Sequence, residues 1–471
     1  MILRQIATNG IFKIGVQVVT LLTTILIARL LGSQILGELN FATSLVAIVN
    51  VFFINSISSA NISLLNKKSI TNSRAISSFL TLSFLVLILY CIVVAVYTYL
   101  TYYNQKRDLF LVIIFLMLSE VFGLFFLASN SFYTATLNQY KASFPDALRI
   151  IVSKILQIGF VFWFGNLLSL AIGILLATIL MTPFLIKFFW PKIKLVKPKG
   201  EDLRIYIRNS IDFMSFTLTK IVPQQLDKIF LEQLVLYSFI GYYTIGQKIG
   251  NSIEMVAMSV GVVLFPYFTK LAQNKEKEKA ISILDKFTLI YFNLISFPLL
   301  FVCFFSEELL SIVFGEEYII STFTMQSYII IGMLTIFLMP FNTLCIGFGK
   351  MKYINVINIS CFALFLVCTA ILFSTDVSND ENIINIMAVI RLLPNIILLI
   401  FFLVYSTKLL KVGYLKYLMV LIIQITIFFV LYYSTKVFNI NVFLSVMLLL
   451  TCIYLTNFIF KLNPNKLLYK N

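Results

Sequence analysis

Eleven ionisable side chains lie inside stretches that are otherwise apolar: Lys13, Glu120, Asp146, Arg149, Lys154, Lys220, Asp227, Lys228, Lys248, Glu254 and Arg391. At the centre of a membrane helix each charge costs about 2.5–3.5 kcal/mol on the insertion scale. Such groups therefore face a bundle interior or a wet cavity, where they bind cargo or move ions. Seven are Lys or Arg and four are Asp or Glu. A purely structural network tends towards balance, so the excess of cations points to an anionic cargo. The chain has no histidine, which removes imidazole metal ligation and imidazole general-base chemistry. Its six cysteines all fall in apolar stretches without a C-x-x-C and read as small core residues. No metal site, cofactor or catalytic constellation emerges, and the chain does not read as an enzyme.

Helical spacing groups these charges with amides and hydroxyls. Asn9, Lys13, Gln17, Thr20 and Thr24 form one polar stripe. Asp146, Arg149, Ser153 and Gln157 form a second, and Lys220, Gln224 and Asp227 a third. Tyr243, Gln247, Asn251 and Glu254 share a face near Lys248, and Arg391 precedes Asn395 by one turn beside Pro394. Asp227 and Lys228 are adjacent, so they point about 100° apart on a helix and do not neutralise each other. Asp227 joins the face of Lys220, whereas Lys228 turns to another surface or up to the headgroups. The cations Lys13, Arg149, Lys220, Lys248 and Arg391 suit a phosphorylated headgroup through charge-assisted hydrogen bonds. Gln17, Gln224, Asn251 and Asn395 suit hydroxyls. Asp146, Asp227 and Glu254 are the acids available for coupling to H+ or Na+.

The elements that position these groups are transmembrane helices. The chain is 60% hydrophobic and 12% charged, with a mean hydropathy of +0.98. A water-soluble core cannot hide that much apolar surface, so the bilayer is the solvent. At about 20 apolar residues per crossing, fourteen spans are expected: 9–31, 38–63, 77–101, 109–136, 144–165, 167–189, 207–233, 236–268, 284–305, 324–348, 352–373, 383–405, 414–434 and 439–460. Tight breaks fall at "FGNLL" (164–168) and "LVLYSFIG" (234–241). The first span reads as a retained helix and not as a cleaved signal.

Charge sets the orientation. Alternate connections carry the Lys and Arg: Lys67, Lys68 and Arg74, then Lys141, then "WPKIKLVKPKGEDLRIYIR" (190–208), "KLAQNKEKEK" and "GKMKY". Lys408, Lys411, Lys416 and the tail lysines Lys461, Lys466 and Lys470 follow the same side. The intervening connections are poor in cations, and "SEELLSIVFGEEY" and "STDVSNDEN" are acidic. The positive-inside rule then places both termini in the cytoplasm. The net charge of +16 reflects this topology and anionic lipid, not nucleic acid. Residues 1–190 read as an N-terminal six-helix lobe, 191–206 as a basic cytoplasmic linker and 207–406 as a C-terminal six-helix lobe. Residues 407–471 add two helices and a tail. "GQKIG" (246–250) is a small-xxx-small pattern, read as packing within a lobe.

Several stretches in order give a resemblance. "ARLLGSQILGELNFATS" (28–44), "LDKIFLEQLVLYSFIGYYTIGQKIGNSI" (226–253), "FPYFTKL" (265–271), "ELLSIVFGEEY" (308–318) and "GFGKMKY" (347–353) resemble Wzx-type polysaccharide flippases. These belong to the multidrug/oligosaccharidyl-lipid/polysaccharide (MOP) exporter superfamily. The resemblance implies two pseudo-symmetric lobes around a central cavity, plus two further helices. It implies undecaprenyl-pyrophosphate-linked oligosaccharide as cargo, moved between leaflets of the bacterial cytoplasmic membrane by alternating access. It also implies cation coupling and glycan polymerase or ligase machinery as partners. Two other members of the superfamily are alternatives: a lipid II flippase, whose arginine- and acid-rich first-helix signature is absent, and a multidrug antiporter. A membrane glycan polymerase or ligase is disfavoured because no long outer loop carries Arg or His.

Overall fold

The computed structural model describes residues 2–459 apart from 67–70, 137, 192–193, 221, 376, 378 and 439–441. Side chains are described apart also from 2–11, 49, 51–52, 66, 212–213, 215–220, 256, 259, 262–263, 266, 416, 436, 438, 442–446 and 458–459. Lys67, Lys68 and the tail lysines Lys461, Lys466 and Lys470 lie outside the described residues, as do the side chains of Asn9, Lys220, Lys416 and Lys436.

The protein is all-α, as hydrocarbon demands of a chain that must satisfy its own backbone. In order the helices are α1 (Ile2–Val49), a π turn (Asn50–Ile54), α2 (Asn55–Asn66), α3 (Asn72–Tyr102), α4 (Arg107–Ala135), α5 (Gln139–Phe164) and α6 (Leu167–Phe188). There follow α7 (Gly200–Lys220), α8 (Val222–Glu232), α9 (Tyr237–Gln273), α10 (Lys277–Ile290), a second π turn (Tyr291–Ile295), α11 (Ser296–Phe304) and α12 (Ser306–Val313). A 3-10 turn (Glu316–Ser321) leads to α13 (Thr322–Gly347), α14 (Met351–Ser374), α15 (Asp380–Leu410), α16 (Lys416–Phe438) and α17 (Val442–Ile459). Each of the fourteen expected spans falls on helix among the described residues. Ten of these helical stretches meet length and apolarity criteria for crossing a membrane.

Local chemistry explains the breaks. The first span and the first part of the second lie on one long helix, α1, kinked at Gly32, whose φ of 76° is a left-handed value that only glycine adopts freely, and the second span continues through the π turn into α2. At "FGNLL" Gly165 closes α5 with φ 59°, and the Asn166 side chain accepts from the Ser169 amide at 2.9 Å to cap α6. At "LVLYSFIG" α8 ends at Glu232 and α9 begins at Tyr237, so both tight breaks are real.

Two compact units emerge. The first comprises Met1–Thr244 with Thr369–Ile384, and the second Ile245–Cys368 with Asn385–Asn471. This division differs from the two sequence halves, since α9, α14 and α15 each contribute to both units. In the first unit many apolar side chains face outward, for example Leu100 at 76% and Trp163 at 82% exposure, as expected of surfaces that meet lipid. At its basic end Arg74 grips Asp202 bidentately at 2.8 and 2.9 Å. The buried Tyr206 hydroxyl donates to the Asn61 side chain at 2.6 Å, and Asn61 in turn donates to Ser131 at 2.7 Å. These bonds fix the start of α7 on α2, α3 and α4.

The second unit is built around α13, which is almost wholly buried. Phe292, Phe337, Phe341 and Tyr414 form its aromatic centre. The "GQKIG" glycines serve this unit: a Cβ on Gly246 would lie 2.7 Å from the Met325 nitrogen, and one on Gly250 2.5 Å from the Tyr328 Cβ. The motif packs α9 against α13 and is not an open dimer face. The π turn at Tyr291–Ile295 exposes the Phe292 carbonyl, which accepts from Asn457 at 2.8 Å, and Gln424 donates to Asn457 at 3.1 Å. This buried amide chain fastens α16 and α17 to the rest of the unit.

Candidate functional site

A polar cavity of about 250 Å³ opens inside the first unit, lined by Asn50, Asn55, Glu120, Asn130, Asp146 and Arg149 among others. Three elements bring these groups together. The π turn at Asn50–Ile54 widens the helix locally, so Asn50 and Asn55 reach one side although five residues apart. α4 supplies Glu120 near its middle and Asn130 two to three turns further on. α5 supplies Asp146 and Arg149, which share a face at i,i+3.

The charges are arranged in two groups. Arg149 donates to Asp146 Oδ1 through Nη2 at 2.8 Å and through Nε at 3.0 Å, and its guanidinium lies 5.2 Å from the centre of the Phe126 ring. Glu120 accepts from the Asn50 amide. Asn130 donates to the Ala142 carbonyl at 3.0 Å and ties α4 to α5. Two carboxylates therefore line the cavity against one guanidinium, whereas the count over all the spans ran in favour of cations. The physical reason is proximity: the charge of Arg149 is matched by Asp146 one turn earlier. Such a cavity can hold a cation or a proton beside Glu120, and its amides can bond hydroxyl groups.

The other expected residues fall as follows. Lys13 is exposed on α1, and Gln17 is half-buried one turn further on. The side chain of Lys220 lies outside the described residues. Gln224 is half-buried on α8. Asp227 has no exposed surface; its carboxylate accepts from the Tyr243 hydroxyl at 3.0 Å and from the Lys228 amide at 2.7 Å. Lys228 is only 8% exposed, so it is buried in the first unit and does not rise to the headgroups. In the second unit Lys248, Asn251 and Glu254 are half-buried on α9. Arg391 is buried over the Phe365 ring at 5.7 Å, and Asn395 donates to the Arg391 carbonyl at 3.0 Å. The structure thus brings Asp146 and Arg149 together in one cavity, and adds Glu120, Asn50, Asn55 and Asn130, which the stripes did not select. An asparagine pair in an otherwise apolar span was the available signal.

Comparison with known proteins follows from this geometry. Residues 26–322 match the family described as "Polysaccharide biosynthesis protein". No match is found among curated proteins. Among solved structures, the inward closed conformation of the lipid II flippase MurJ aligns with a TM-score of 0.71 at 14% identity, covering 96% of this chain and 97% of that one. The MATE multidrug transporter DinF-BH aligns at 0.60 and 15% identity, over 87% and 96%. An inward-facing MATE family transporter of the MOP superfamily aligns at 0.54 and 12%, over 86% and 95%. At these identities the likeness is one of fold. The fold and the ten helices long and apolar enough to cross a membrane agree with the family match, and together they identify a multi-pass membrane protein. The chain belongs to the polysaccharide biosynthesis protein family, built on the fold of the MOP superfamily.

Proposed function

We propose that the protein is a flippase for undecaprenyl-pyrophosphate-linked oligosaccharide repeat units. It carries them from the inner to the outer leaflet of the bacterial cytoplasmic membrane by alternating access, with both of its termini in the cytoplasm. The supporting observation is membership of a family of polysaccharide biosynthesis proteins, together with a polar cavity inside an otherwise apolar helical unit whose lining includes Arg149 and the amides of Asn50, Asn55 and Asn130. A diphosphate headgroup carries a hydration shell that hydrocarbon cannot replace, so its passage needs fixed polar groups within the bundle.

In this reading Arg149, with Lys13, Lys220, Lys248 and Arg391, meets the diphosphate. Gln17, Gln224, Asn251 and Asn395 meet sugar hydroxyls, and the polyprenyl chain stays in lipid. Coupling to H+ or Na+ falls to Glu120 and Asp146, which line the cavity, with Glu254 as a further acid. Asp227 is sealed by Tyr243, so its role is to hold α8 and α9 together. Glycan polymerase or ligase machinery takes the delivered unit.

The test is removal of the protein from its host. Short lipid-linked glycan should then accumulate on the cytoplasmic leaflet while surface glycan falls. Normal surface glycan would contradict the reading. The MurJ-like fold favours a second cargo, lipid II, and rescue of cell-wall synthesis in cells lacking their usual flippase would select it.

A further inference from the structure

The first unit holds a second cavity of about 360 Å³, distinct from the polar one and formed by α1, α3 and α8. Its walls are three helical stripes, from Phe41 to Ile48, from Tyr90 to Tyr97 and from Leu226 to Gln233. Each stripe advances seven positions, which is about 10 Å of helix. The walls are apolar along most of that length. At one end the Tyr90 hydroxyl donates to the Leu45 carbonyl, so only its ring is left for a ligand. Val93 is 66% exposed and Tyr97 44%, so the groove opens sideways on the face of α3 that meets lipid. A groove of this kind offers water few partners and suits a hydrocarbon chain.

The other end carries charge. Glu232 accepts at a single oxygen, Oε1, from the Tyr102 hydroxyl at 2.8 Å and the Tyr237 hydroxyl at 2.9 Å. Its Oε2 accepts no hydrogen bond and Glu232 forms no ion pair among the described residues. The exposed Lys106 ammonium stands 3.8 Å above the ring of the same Tyr237. An acid and a base are therefore mounted on one tyrosine at the mouth of an apolar groove. A headgroup with phosphate alone, or the diphosphate of a polyprenyl carrier, meets the carboxylate as a like charge. A zwitterion with both phosphate and ammonium matches both groups.

We propose that this groove is a phospholipid site selective for an ethanolamine headgroup. One acyl chain fills the groove, the ammonium donates to Glu232 Oε2 and the phosphate meets Lys106. The ligand is a lipid of the bilayer and not the cargo, so the site stands whether or not the cargo reading does. The test uses the purified full chain, stripped of lipid and offered phosphatidylethanolamine and phosphatidylglycerol with identical acyl chains. Retained lipid is counted by native mass spectrometry. One ethanolamine lipid per chain should be held, with a preference of about tenfold over the glycerol lipid, as expected for one charged hydrogen bond. Glu232→Gln keeps an acceptor for the two tyrosines but loses the charge, and the two lipids should then be held about equally. Val93→Trp fills the groove from its exposed side, so it leaves the fold intact and should lower retention of the ethanolamine lipid more than about tenfold. Equal retention of both lipids by the unaltered chain, a preference that persists in Glu232→Gln, or full retention in Val93→Trp would overturn the proposal. Displacement of the ethanolamine lipid by a polyprenyl diphosphate would also overturn it, and would give the groove to the cargo.

Discussion

Two carboxylates inside the first unit occupy opposite settings. Asp227 has no exposed surface and is closed off by the Tyr243 hydroxyl and the Lys228 amide. Glu120 is half-buried, faces a cavity and has a neutral amide, Asn50, as its hydrogen-bond partner. The first setting is that of a strut, since removing the acceptor strands two buried donors. The second is that of a working group, since a cavity lets ions and water exchange there. Both are carboxylates on otherwise apolar helices. What separates them is whether the surrounding helices leave room.

Substitutions can break this contrast. Asp227→Ala should have the largest effect on stability, about 3 kcal/mol, read as a fall in the yield of folded protein and in its melting temperature in detergent; a stable variant would remove the distinction. Arg149→Ala should lower glycan export by more than about tenfold with little change in melting temperature, because the site is half-buried and Asp146 can be hydrated through the cavity. Loss of folded protein in step with export would instead make the Arg149–Asp146 pair a strut. Glu120→Gln keeps shape and the bond to Asn50, so folded yield should stay unchanged while transport loses its dependence on an imposed proton or sodium gradient. Retained dependence would move coupling elsewhere. Lys13→Ala should have the smallest structural effect, within about 0.5 kcal/mol, because the side chain is exposed. Its export phenotype therefore reports on cargo directly, and full export would take Lys13 out of the site. Arg391→Ala is the matched test in the second unit, with the added loss of packing over Phe365.

The spans were legible because the bilayer fixes their length, and the sharpest turns were legible because Gly165 and Asn166 leave few conformations open. That α1 runs from the first span into the second, kinked at Gly32, was not legible, since hydropathy registers only two apolar stretches. The Asp146–Arg149 pair could be read from i,i+3 spacing, but its mutual neutralisation could not, because counting charges assigns no partners. Glu120 sits on a different helix from that pair, and no local rule joins them. Asn50 and Asn55 eluded the stripes for a geometric reason: five residues do not share a face at 3.6 per turn, and only the π turn brings them together. The hydrogen bond from the Tyr102 hydroxyl to Glu232 was hidden likewise, because the two lie 130 positions apart in sequence.

The most direct test is reconstitution of the purified full chain into vesicles carrying polyprenyl-pyrophosphate oligosaccharide in one leaflet, with a membrane-impermeant glycan-modifying enzyme reporting on the other. The account predicts that the glycan crosses with the unaltered protein and crosses at a rate reduced by more than about tenfold with Arg149→Ala. No crossing with the unaltered protein, or equal crossing with both, would contradict it.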